Sequence, residues 1–149
     1  MEYDVDIIDG IEVPQLVITE DFTIHGEHNG TVHVEMGTLI IQGELNGTLD
    51  VQENAKVIII GEQNGTVNTK YGTQITVHGE INGTTTVGNG SLLIIEEGGK
   101  LAGCLNNNGR LILRGVFGGS QNGNGELVIE GNGYIKKPVI KNGISYYEW

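Results

Sequence analysis

The chain has 149 residues, 25 of them glycine, one cysteine and a formal charge of −11, a length that holds one domain. Val, Ile and Leu recur at regular positions, which excludes disorder. No run reaches the roughly 20 apolar residues that cross a bilayer, so no membrane insertion is expected, and one cysteine excludes an internal disulfide framework.

The charge is uneven along the chain. Residues 1–55 hold twelve Asp and Glu and no Lys or Arg, a net −12, whereas residues 56–149 hold seven acids and eight bases, a net +1. Such a field repels nucleic acid and anionic membranes and attracts basic partners.

The first element, residues 1–21, reads as an acidic extension or cap. Its opening, MEYDVDIIDG, lacks the basic and apolar regions of a secretory leader, so a cytoplasmic location is expected.

From residue 22 a hexapeptide repeats: GEHNGT, GELNGT, GEQNGT and GEINGT start at Gly26, Gly43, Gly61 and Gly79. Weaker copies follow at Gly99, Gly115 and Gly131, the spacings running 17, 18, 18, 20, 16 and 16. Two positions before the glycine stand Ile24, Ile41, Ile59, Val77, Leu113 and Ile129; four before it stand Phe22, Leu39, Val57, Ile75, Leu111 and Leu127. Further columns read Leu45, Ile81, Leu101 and Phe117, then Val32, Leu49 and Val67, then Val34, Val51 and Val87. Apolar residues two apart are strand patterning, and a repeated short unit is the mark of a stacked architecture.

The predicted fold is therefore all-β: one parallel β-solenoid over residues 22–133, with about six or seven rungs of roughly 18 residues. One coil buries too few side chains to offset the ordering of its own backbone, so stacking must supply the rest. Corners of a coil need positive φ, which glycine adopts freely and asparagine tolerates, and each corner must superpose on the one below. Asn29, Asn46, Asn64 and Asn82 then fall in line as an asparagine ladder. The fifth unit, SLLIIEEGG, carries about two extra residues, which predicts a bulge or widened corner at Glu96 and Glu97. Asn-Gly is also a strong hairpin signal. An antiparallel meander, however, would strand Gly43, Gly61 and Gly79 inside strands, where glycine is unfavourable.

The last element, residues 134–149, reads as a C-terminal cap. Val139, Ile140, Ile144 and Trp149 are suited to covering the open end of the coil, with Pro138 ending strand pairing. Tyr146, Tyr147 and Trp149 serve such a cap or an interface anchor.

Little on this rod reads as chemistry. Glu27, Glu44, Glu62 and Glu80 form a column of carboxylates that reads as a solvated stripe, and the calcium signature of repeat proteins is absent. His25, His28 and His33 lie close in sequence, but alternation sends His25 and His28 to opposite faces, and no cysteine completes a zinc set. Cys104 shares a column with Thr31, Thr48, Thr66 and Thr84 and reads as a small filler. The hexapeptide rule of left-handed acyltransferases fails when phased from Ile60, since Thr66, Gly72 and His78 follow it. The connections are too short to build a catalytic groove. No enzyme activity, metal or cofactor is expected.

From about Ile24 to Ile129 the chain resembles the bactofilin family, on the period near eighteen and the Gly-acid-x-x-Gly corner followed by alternating Val and Ile, as in GELNGTLDV and GEQNGTVNT. That resemblance implies a right-handed β-helix whose ends stack onto other copies in nucleotide-free bacterial cytoskeletal filaments. Joining unlike ends would bring Lys136, Lys137 and Lys141 near an acidic face, whereas joining like ends would set the −12 region against itself. A second reading is an acidic immunity or inhibitor protein that neutralises a basic toxin, possibly a nuclease, with electrostatic steering accelerating capture.

Overall fold

A computed structural model describes residues 6–8, 11–13 and 15–147. Among these the chain is all-β, with twenty-one short strands and no helix. One turn of the chain makes three segments, such as Thr38–Ile41, Glu44–Asn46 and Leu49–Val51. The next turn lies on it in parallel register, with Val57 beside Leu39 and Ile59 beside Ile41. From there on the second and third segments run as one strand, Glu62–Thr69, with Gly65 in its middle at φ 127°. Stacking produces a seven-stranded sheet on the first face and a ten-stranded sheet around the other two. The molecule is a single-domain β-solenoid of about seven rungs.

This parallel register rules out the meander, because sister glycines are neighbours: Gly65 pairs with Gly83, and Gly83 with Gly103. Among the described residues, antiparallel pairing occurs only outside the coil. Asp6–Ile8 pairs with Ile11–Val13, and Val139–Lys141 pairs with Ile144–Tyr146. The coil itself begins at Leu16–Ile18, beside Val32–Val34, ahead of the expected start at 22. It ends at Tyr134–Ile135, beside Val116 and Phe117, just past the expected limit at 133.

Alternation turns every second side chain inward, and like residues then stack. Leu39, Val57, Ile75, Leu93 and Leu111 form one buried column, and Ile41, Ile59, Val77, Ile95 and Leu113 another. A third runs His28, Leu45, Gln63, Ile81, Leu101, Phe117. Polar residues also line the interior, and several find partners there. Gln63 Nε2 donates to the Gly47 carbonyl at 2.9 Å, and Asn107 Nδ2 donates to the Glu126 carbonyl at 2.8 Å. Gly88 N–H donates to Thr69 Oγ1 at 3.0 Å, and Thr69 Oγ1 lies 2.9 Å from Ser91 Oγ.

The repeated hexapeptide needs its first glycine for close approach and its second for close approach and positive φ together, since a Cβ on Gly47 would overlap the Gly30 carbonyl oxygen and one on Gly83 that of Gly65; this corrects the expectation that positive φ explains the first. Gly26, Gly43, Gly61, Gly79, Gly99 and Gly115 are not in the positive-φ set; the second glycines are, with Gly30 at 125° and Gly83 at 125°. None of the four ladder asparagines has positive φ; among the described non-glycine residues only Asn54 and Asn142 do. The first glycine is required by close approach instead. A Cβ on Gly43 would overlap the carbonyl oxygen of Gly26, one on Gly61 that of Gly43, and one on Gly79 that of Gly61. Gly26, at the start of the series, has nothing within 4 Å of that position.

Two extra residues do widen the fifth unit's corner. Ile95 still pairs with Val77, and Lys100 with Glu80, so Glu96 to Gly99 stand opposite only His78 and Gly79. Gly99 N–H closes the turn on the Glu96 carbonyl at 2.8 Å. The same device recurs at Glu130, where Gly133 N–H bonds the Glu130 carbonyl at 3.0 Å. That displaces Gly131 from the glycine column: it sits on the turn at φ 56°, and Gly133 takes the place beside Gly115, because Tyr134 pairs with Val116.

Candidate interaction surfaces

The second face of the coil carries the glutamates and asparagines outward, two residues apart on one strand. In-register stacking aligns Glu27, Glu44, Glu62 and Glu80 in one column and Asn29, Asn46, Asn64 and Asn82 in the next. Each carboxamide passes a hydrogen bond to the rung below: Asn46 Nδ2 to Asn29 Oδ1 at 3.0 Å, Asn64 to Asn46 at 2.9 Å, and Asn82 to Asn64 at 3.0 Å. The same amides also donate to the carboxylates. Asn29 reaches Glu27 at 3.0 Å, Asn64 reaches Glu44 at 3.0 Å, and Asn82 reaches Glu80 at 3.0 Å. A carboxamide has two N–H donors and an acceptor, so one asparagine per rung can both extend the ladder and hold its glutamate. This is why Glu and Asn recur together while the residue between them varies: that residue points into the core.

The column changes sign at Lys100, whose ammonium lies 3.5 Å from Glu80 Oε2. The ladder stops there too, because Ala102 follows Asn82. The acidic face is therefore confined to the N-terminal half of the rod.

The histidines separate as alternation requires. His25 is exposed, with Nδ1 3.0 Å from Gln42 Oε1, whereas His28 stands in the inward column beside Leu45. His33 lies on the outer side of the third face beside Asp50. Its Nδ1 is 3.2 Å from Asp50 Oδ2 and its Nε2 is 2.6 Å from Gln15 Oε1. Among the described residues no three His, Cys, Asp or Glu side chains converge as a metal site. Cys104 is exposed, between Thr84 and Ser120 in its column. No helix among the described residues is long and apolar enough to cross a membrane.

Each end of the coil leaves a strand paired on one side only, among the described residues. These strands are Phe22–Ile24 at one end and Glu126–Ile129 at the other. The inward columns surface there, with Phe22 45% exposed, Ile129 49% and Ile135 39%. A hollow of about 120 Å³ opens beside Phe22, lined by Leu16, Ile18 and Glu20. Of the residues expected to cap the C-terminal end, Ile140 and Ile144 do not bury: they lie on an antiparallel hairpin, 73% and 66% exposed. Val139 is half-buried, and Tyr147 ties the tail back by donating its hydroxyl to the Gly119 carbonyl at 2.9 Å. Trp149 and the side chain of Tyr146 lie outside the described residues.

One surface escaped the sequence columns. On the seven-stranded face most of the residues between the two inward columns are aliphatic as well, Thr23 and Thr76 excepted, so strands such as Lys56–Ile59 and Leu92–Ile95 alternate in burial but not in polarity. The uninterrupted runs VIII from Val57 and LLII from Leu92 were the available signal. Arg114 borders this face and bridges two rungs, with Nη1 2.7 Å from Glu96 Oε1 and Nε 2.9 Å from Glu130 Oε1. The hydrogen bond to Glu130 and the nearby charge of Glu96 hold its guanidinium above the usual arginine range.

Compared with known proteins, the chain matches no family model, no curated protein and no solved structure.

Proposed function

We propose that the protein is a non-catalytic structural scaffold, bactofilin-like in that one molecule's coil continues into the next through its ends. The observation that carries this reading is that, among the described residues, each end of the coil has a one-sided strand and an exposed apolar column terminus, at Phe22 or at Ile129 and Ile135. An unpaired strand edge is a template for another chain, and a coil that ends on aliphatic residues gains by burying them. Charge favours the joining of unlike ends, since the acidic residues crowd into 1–55 while Lys136, Lys137 and Lys141 stand near the other end. Light scattering and electron microscopy test the reading. Elongated particles of many chains are expected at tens of micromolar, and a sharp monomer in both low and high salt would reject it.

A second reading draws support from the aligned carboxylates at Glu27, Glu44, Glu62 and Glu80: a module that captures a basic protein, such as a toxin. Its association rate should then fall steeply with added salt. A host-lysate pull-down that recovers no basic partner, or a partner whose binding ignores salt, counts against it.

A further inference from the structure

The seven-stranded face has a composition unlike the other two. Its outward central column reads Thr23, Ile40, Ile58, Thr76, Ile94, Ile112, Val128, stacked in register. On the other faces the outward columns are largely Glu, Asn and Thr up to Glu80, Asn82 and Thr84, and small or mixed beyond them. Strands that are aliphatic on both sides are those buried on both sides. The inner side of this sheet meets the core, and its outer side is left half-exposed.

Its charges point to a particular occupant. Over its seven strands the face carries Lys56, Arg110 and Arg114 against Asp21, Glu96, Glu126 and Glu130, a net −1 in a chain of −11. Most of these are already paired within the sheet: Arg114 with Glu96 and Glu130, and Arg110 Nε with Glu126 Oε2 at 3.5 Å. Another copy of this acidic chain can therefore approach here without the repulsion it would meet at the glutamate column. The outward column is also nearly the same read in either direction about Thr76, with Ile58 answering Ile94 and Ile40 answering Ile112. Turning one rod end for end sets the −12 region of one copy beside the +1 region of the other. Seven strands at about 4.8 Å and four residues at about 3.3 Å give a footprint of roughly 440 Å² per copy. The pair thus covers roughly 900 Å², the size of a weak, reversible contact.

We propose that a second copy docks face to face on the seven-stranded sheet, the two rods antiparallel about a two-fold axis through Thr76. The two sheets stack about 10 Å apart, burying the isoleucines that the coil leaves outside. This contact is lateral and independent of the end-to-end contact proposed above, and the two are separable by experiment.

The test starts from a chain whose end growth is blocked by Ile129→Lys and Ile135→Lys. In that background a particle of two 16.0 kDa chains is expected. Adding Ile94→Thr and Ile112→Thr should weaken the pair at least tenfold and yield one chain; threonine already occupies this column at Thr76, so the coil should tolerate it. Circular dichroism verifies that the variants fold. A single-chain mass at tens of micromolar with the face intact overturns the proposal, as does a pair that survives the two threonines. If end-blocked chains still form long polymers, the end-stacking reading fails instead; the lateral contact then stands only if the threonines dissolve those polymers. Orientation is read in a Cys104→Ser background with a short bifunctional thiol reagent. Ile58→Cys mixed with Ile94→Cys should couple, whereas coupling of Ile58→Cys only to itself contradicts the antiparallel arrangement.

Discussion

Asn64 donates to Oδ1 of Asn46 at 2.9 Å, one rung below it and eighteen residues earlier in the chain. The same Nδ2 lies 3.0 Å from Glu44 and 3.4 Å from Glu62. The ladder thus serves two purposes at once: it ties rungs together and keeps adjacent carboxylates supplied with donors.

Asn64→Ala removes these bonds and leaves Asn46 and Glu44 without a donor, a loss of roughly 1–3 kcal/mol. Asn64→Asp should cost more, because a carboxylate replaces the donor between two others, with a repulsion of roughly 1 kcal/mol per close pair in water-like screening. Urea unfolding at fixed protein concentration measures both. The aspartate variant should recover part of its loss in high salt, and an aspartate variant as stable as the parent contradicts the network.

The two kinds of glycine position give a paired test. Gly61→Ala places a methyl group on the Gly43 carbonyl oxygen, whereas Gly26→Ala meets nothing within 4 Å. The first change should destabilise by more than about 3 kcal/mol, in the range of severe packing faults, and the second should stay within about 0.5 kcal/mol. Comparable losses at both sites would show that rung-to-rung approach is not what selects glycine there.

Thr85 is fully buried in the column of Leu49, Val67 and Leu105, and its Oγ1 has no hydrogen-bond partner among the described residues. Thr85→Val keeps the shape and removes the unsatisfied hydroxyl, so a gain of about 1 kcal/mol is expected. Thermal unfolding monitored by circular dichroism checks it, and a lower melting temperature would refute it.

Polarity of end joining is testable with Thr23→Cys and Val128→Cys in separate Cys104→Ser chains. Thr23 and Val128 lie on the two terminal strands of the same sheet. Stacking of unlike ends would bring them to neighbouring-strand spacing, about 4.8 Å. Mixed chains should then cross-link to each other far more than either cross-links alone. Predominant Thr23→Cys self-coupling would reverse the assignment.

Much of this molecule was legible in the letters because a solenoid repeats its environment. Leu39, Val57 and Ile75 occupy equivalent places at a spacing of eighteen, so the core column could be read before any contact was known. The ladder was legible for the same reason, as was the widened corner at Glu96. Gly131 was misplaced because the letters cannot tell a widened corner from a regular one when both contain glycine; only the pairing of Tyr134 with Val116 shows that Gly133 holds the column. Whether Ile140 and Ile144 would bury was not legible for a related reason: an apolar pair near an open end can fold over it or pair locally, and here a local antiparallel hairpin leaves both exposed.

The sequence alone determined that tiers of like residues must lie over one another, since a lone tier cannot offset the entropy of its own ordering. The tertiary structure decided which side of each strand faces out and how close successive backbones come. Those distances make the first glycine of each hexapeptide a matter of contact alone and the second a matter of contact and φ together, and they leave a column of isoleucines on the outside of one sheet. Neither fact belongs to a single rung, because both arise only when the next rung is set in place.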